Sequence, residues 1–121
     1  SIRLAGMRAC MYAVPMKKLD FAEATKQVKR VMKQYREDFP DVVVDRDYFP
    51  FKLTEEWGEC LQVYLMLTDR GRQKGKSKKE IHAMLAEEFA DVLGFLLLFA
   101  EAEGIDPEKA LYKKWLSRIK K

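Results

Sequence analysis

Three helix-start signals partition this chain, and no pair of strand-like segments competes with them. Asp20-Phe-Ala-Glu23 and Ser77-Lys-Lys-Glu80 have the form of capping boxes, in which the first side chain accepts from the N–H three residues on and the glutamate reaches back. Asp106-Pro107 places an N-cap acid before a proline at the first helical position. A fourth start is expected near Pro50. Apolar residues recur at three- and four-residue steps after the first signal: Phe21, Ala24, Val28, Val31, Met32 and Tyr35. The spacing predicts helices from Asp20 to about Phe39-Pro40, from Pro50 to Gly71 as C-terminal cap, from Ser77 to about Glu103 with Gly104 ending it, and from Pro107 to the C-terminus. Val42–Val44 has strand character but no second strand to pair with, so residues 41–48 read as a connecting loop. The fold class expected is all-α, a four-helix bundle, up-and-down and antiparallel because the connections are short.

A chain of 121 residues leaves room for one domain of this kind. Residues 1–16 show no helical period and no long apolar centre, and are read as an N-terminal arm or tag-derived segment; residues 17–121 form the helical domain. The longest apolar run, Val92–Ala100, has nine residues, against about 18 or more for a membrane span. Two cysteines and one histidine exclude a disulfide framework, a four-cysteine zinc site and histidine-rich metal chemistry. A small cytoplasmic domain without a membrane segment is expected.

The net charge of +4 hides an uneven distribution. Residues 70–79 hold six cations and no acid, and residues 113–121 hold five and no acid. The other 102 residues carry 12 cations against 19 acids. A nucleic-acid binder more often spreads cations along one docking face, so nucleic acid is not the expected partner. Two basic segments flanking an acidic body suit a protein that holds divalent cations and receives a phosphorylated small molecule.

Position on the helix faces separates the acids. In the second helix the line Phe49, Leu53, Glu56, Cys60, Val63, Leu67 is apolar except where Glu56 interrupts it, and Glu59 lies one turn on. In the third, Met84, Glu88, Asp91, Phe95, Leu98 places two carboxylates between core residues. Glu55 and Glu87 are rotated about 100° toward the outer flank. Two consecutive helices thus push Glu56/Glu59 and Glu88/Asp91 into the seam between them, where desolvation and mutual repulsion oppose ionisation. Three outcomes relieve this: protonation, exposure to water at the bundle rim, or neutralisation by a cation. Oxygen-only ligands suit Mg²⁺, or Mn²⁺, rather than zinc.

The stretch Phe51-Lys-Leu-Thr-Glu-Glu-Trp-Gly-Glu59 followed by Leu85-Ala-Glu-Glu-Phe-Ala-Asp-Val-Leu93 resembles the paired EExxE and EExxD signature of MazG-like nucleotide pyrophosphohydrolases. Gly104-Ile-Asp-Pro-Glu-Lys-Ala-Leu111 followed by Lys114 resembles that family's fourth helix, and the likeness covers roughly residues 20–118. The resemblance implies a dimeric or tetrameric enzyme that splits a nucleoside triphosphate into a monophosphate and pyrophosphate. By the same resemblance Glu56, Glu59, Glu88 and Asp91 bind Mg²⁺.

A metal held there would polarise phosphate oxygens and activate water for in-line attack. Glu59 or outer-flank Glu55 could accept the proton; the sequence does not choose. Lys52, one turn before Glu56, and Lys114 with Arg118, four residues apart, are candidate phosphate contacts. No Walker A loop is present, which sets aside P-loop chemistry. Two other readings stand beside this one: a phosphoribosyl-ATP pyrophosphohydrolase, which shares a related motif, and a non-catalytic helical module that binds through its basic segments.

Overall fold

A computed structural model describes residues 19–120, so the expected N-terminal arm lies outside the described residues. The chain is all-α. Among the described residues the helices are α1 (Phe21–Asp38), α2 (Tyr48–Leu67), α3 (Lys78–Ala102) and α4 (Pro107–Lys114), with a 3₁₀ turn at Leu116–Arg118. No helix among the described residues is long and apolar enough to cross a membrane.

The helix starts follow the local chemistry of the sequence. The Asp20 carboxylate accepts from the Glu23 N–H at 2.7 Å, but the Glu23 side chain does not reach back; it accepts from Gln27 Nε2 at 2.7 Å. The Ser77–Glu80 box is complete, with both reciprocal bonds formed. Asp106 caps α4 through the Lys109 N–H at 3.0 Å. The second helix begins two residues earlier than expected. Asp45 accepts from the N–H groups of Asp47 and Tyr48, each at 3.1 Å, which starts the helix before Pro50. Pro50 then falls within the first turn, where a missing N–H leaves no intrahelical bond unmade.

The stops are less local. Gly104 ends α3 as expected, at φ 68°, with the Ile105 N–H donating to Ala100 O at 2.8 Å and the Gly104 N–H to Glu101 O at 3.2 Å. Gly71 does not play that part for α2. Asp69 takes the left-handed position at φ 61°, with the Arg70 N–H on Leu65 O at 2.8 Å and the Asp69 N–H on Met66 O at 3.3 Å. An aspartate tolerates this conformation better than most residues, and Lys78 secures it: the ammonium pairs with the Asp69 carboxylate and donates to Leu67 O at 2.9 Å. One cation of the basic linker is therefore a helix cap. α4 also departs from expectation, closing at Lys114 instead of running to the C-terminus.

α2 and α3 form an antiparallel hairpin. At its loop end Val63 and Met66 bury against Ile81, flanked by Leu67, Met84 and Leu85. At its other end Met32 of α1 joins Phe95 and Leu98, flanked by Phe49, Leu53 and Tyr48. α1 thus covers the C-terminal half of α3. Ion pairs Lys29–Glu101, at 2.9 Å, and Arg46–Glu103, at 2.7 Å, tie α1 and the α1–α2 loop to the same end of α3. The core of the chain is made by three helices. Among the described residues α4 buries none and makes no extensive packing with α1, α2 or α3.

Candidate metal centre

The middle of the hairpin separates the two apolar clusters, and the acids sit there. Glu56 is wholly buried, on the same line of α2 as buried Cys60 and Val63. Glu59 and Glu88 are half-buried, whereas Glu55 and Glu87 are exposed on the outer flank. One carboxylate oxygen from each of Glu56, Glu59 and Glu88 lies within 4.8 Å of the other two. The face assignments made from helical spacing therefore hold for all five of these glutamates.

Asp91 is the exception. It does not join the three-carboxylate group. One turn beyond Glu88, it lines a cleft of about 210 Å³ between α3 and α1, with Val28, Val31, Tyr35 and Phe95. Glu88 and Asp91 share a face of α3, but that face meets α2 at one residue and α1 at the next turn. Rotation about the helix axis was legible in the spacing; which neighbour the face meets was not.

Lys52 borders the cluster. Its ammonium lies 3.1 Å from Glu55 Oε1 and 3.9 Å from Glu56 Oε1. Lys114 and Arg118 are not brought there. Lys114 closes α4 and Arg118 lies in the 3₁₀ turn beyond it, so they no longer share one helical face. Both are exposed, and among the described residues no ion pair joins them to the carboxylates.

Two residues of this region went unassigned from sequence. Burial, and to a lesser degree the charge on Glu88, raises the Cys60 thiol above its ordinary range. Tyr48, at the first turn of α2, is also shifted upward, chiefly by burial and then by Tyr35. Its helical setting was hidden because the helix was expected to begin two residues later.

Burial and neighbouring charge shift the acids of α3. Burial, followed by the charges on Asp91 and Glu59, raises the Glu88 carboxyl above its usual value. Burial raises Asp91 as well, and the charges on Glu59 and Glu87 add to it. Glu88 Oε2 is a buried atom with no hydrogen-bond partner among the described residues. Buried polar atoms are otherwise almost always paired, so this oxygen is available to a ligand. Three carboxylates converging from facing helices fit a hard divalent cation.

The raised Glu88 carboxyl gives a pH response that can be read at this one residue. An acid whose value is higher in the folded state contributes stability at pH below its unfolded value, and that contribution is lost as pH rises through the folded value. Glu88→Gln imitates the protonated acid permanently. In the presence of a chelator, Glu88→Gln should melt above the wild type at pH 7, and the gap should narrow as pH falls toward 4. Melting curves across this range check it; a gap independent of pH would show that Glu88 titrates as an ordinary surface acid.

Compared with known protein families, with curated proteins and with solved structures, the chain matches none of them.

Proposed function

We propose that this protein is a Mg²⁺-dependent nucleoside triphosphate pyrophosphohydrolase of the MazG-like type, releasing a nucleoside monophosphate and pyrophosphate in the cytoplasm as part of nucleotide-pool maintenance. The observation that carries the reading is the convergence of Glu56, Glu59 and Glu88 from two facing helices, with one oxygen of Glu88 buried and without a hydrogen-bond partner among the described residues. These residues correspond by position to the acids of the EExxE and EExxD motifs.

Glu56, Glu59 and Glu88 would hold the ion, with Asp91 one turn away to accept a further one. When bound, Mg²⁺ supplies charge neutralisation and Lewis-acid polarisation of phosphate oxygens. The chain's own groups divide the remaining work. Glu59 belongs to the cluster, whereas Glu55 is exposed at its mouth, so Glu55 is the carboxylate left to take a proton from the attacking water. Lys52, already at the rim, is the cation positioned to meet a phosphate.

The test is pyrophosphate release across the eight common nucleoside triphosphates and phosphoribosyl-ATP, with Mg²⁺, with Mn²⁺ and with chelator. Metal-dependent release from at least one nucleoside triphosphate is expected. Turnover of phosphoribosyl-ATP alone would move the assignment to that related enzyme. Binding of phosphates without any hydrolysis would leave a non-catalytic module.

The reading includes assembly into a dimer or tetramer. Trp57, Leu61, Tyr64 and Leu65 form an exposed stripe on α2, and Phe89, Leu93 and Leu96 form another on α3. On and beyond α4, Trp115 and Ile119 are each 70% exposed. Apolar faces of this extent on a small chain mark contact surfaces. Light scattering at micromolar concentration should give at least twice the 14.2 kDa chain mass; a monomer would remove this part of the proposal.

A further inference from the structure

The position of Lys52 has a consequence beyond phosphate contact. Its ammonium is a cation held at the edge of the carboxylate cluster, between Glu55 and Glu56. It stands 3.1 Å from Glu55 Oε1, on the exposed flank, and 3.9 Å from Glu56 Oε1, in the buried seam. The side chain is only 19% exposed, so its charge is poorly screened by solvent. Lys52, Glu55 and Glu56 occupy i, i+3 and i+4 of one helix, a spacing that lets a single lysine serve either acid.

We infer that Lys52 is a built-in counter-ion that competes with the divalent cation for the carboxylate cluster, and that Glu55 is the site onto which it withdraws when the cation arrives. This rests on the metal-binding reading given above and adds a regulation of that same site. In the metal-free protein the ammonium partly offsets the charge of Glu56 and its neighbours. A divalent ion bound among Glu56, Glu59 and Glu88 would be repelled by an ammonium so close to Glu56, and its affinity is lowered by that repulsion. Glu55 lessens the penalty by holding the ammonium toward the rim. A phosphate arriving at the rim would then find Lys52 already turned outward.

The two residues should have opposite effects on the affinity for Mn²⁺ alone, with no nucleotide present. Lys52→Met keeps the aliphatic stem and removes the charge. It should tighten Mn²⁺ binding about tenfold, equivalent to about 1.4 kcal/mol, and should lower the melting temperature measured with chelator. Glu55→Gln leaves Glu56 as the ammonium's remaining partner and should weaken Mn²⁺ binding several-fold. Simple loss of a nearby negative charge would also weaken binding, and a double-mutant cycle separates the two causes. If Glu55 acts through Lys52, Glu55→Gln should change little in the Lys52→Met background.

Titration of free Mn²⁺ by electron paramagnetic resonance at pH 7.5 reads these affinities directly. Lys52→Gln supplies the same charge removal should Lys52→Met fail to fold. Absence of stoichiometric Mn²⁺ binding by the wild type would overturn the metal-site reading itself. Wild-type binding with unchanged or weaker affinity in the charge-removed variant would overturn the competition alone. An equal Glu55→Gln effect with and without Lys52 would overturn the withdrawal step.

Discussion

Saturating Mg²⁺ should raise the melting temperature of this protein by about 8–15 °C. A cation that binds only the folded chain adds about 2.7 kcal/mol at one hundred times its dissociation constant, and the usual entropy of unfolding for a chain near this length converts that into the stated shift. Na⁺ at matched ionic strength should do far less, because screening alone does not satisfy a buried oxygen such as Glu88 Oε2. The double variant Glu56→Gln/Glu88→Gln should melt above the metal-free wild type, since two mutually repelling charges are gone from the seam. It should also gain little from Mg²⁺. Calorimetry of the two proteins with chelator, Na⁺ and Mg²⁺ measures all of these differences. A wild-type curve indifferent to Mg²⁺, together with an unaltered variant, would return the acids to ordinary charge balance.

Substitution at the inner acids should abolish metal-dependent hydrolysis, while substitution at outer-flank Glu87 should not. Glu56→Gln or Glu88→Gln each removes one of three oxygens that converge within 4.8 Å. Several kcal/mol of transition-state charge stabilisation depends on the metal, so a fall in rate of at least about 100-fold is expected. Glu87→Gln alters a residue adjacent in sequence to Glu88 but exposed on the far flank, and should retain most of the activity. Initial rates of pyrophosphate release at saturating Mg²⁺ make the comparison. Equal losses in Glu87→Gln and Glu88→Gln would break the assignment of faces.

Helix faces were legible in the sequence because an α-helix converts spacing into direction. That reasoning located Glu56, Glu59 and Glu88 inside the seam and put Glu55 and Glu87 outside it. Helix starts were legible because a cap is a bond between residues three apart, as at Ser77–Glu80. The features that escaped depend on partners distant in sequence. Asp69 replaces Gly71 at the end of α2 because Lys78, nine residues on, supports it. Asp91 falls outside the group of three oxygens and lines the cleft where α1 meets α3, although its charge still reaches Glu88. α4 is expected from spacing to complete a bundle, yet among the described residues none of its apolar side chains is buried.

That last departure bears on the substrate contacts. Lys114 and Arg118 were assigned to phosphate on the assumption of one continuous helix packed beside the acids. The break after Lys114 gives them different orientations, and neither is tied to the carboxylates. Lys52, by contrast, is brought to the rim of the acidic cluster, 3.9 Å from Glu56 Oε1.

The most direct measurement is phosphorus NMR of a nucleoside triphosphate incubated with the protein, in Mg²⁺ and again with chelator. Appearance of nucleoside monophosphate and pyrophosphate in equal amounts, only with Mg²⁺ and lost in Glu56→Gln, is the expected result. Formation of diphosphate and inorganic phosphate, or an unchanged spectrum across all substrates, would contradict it.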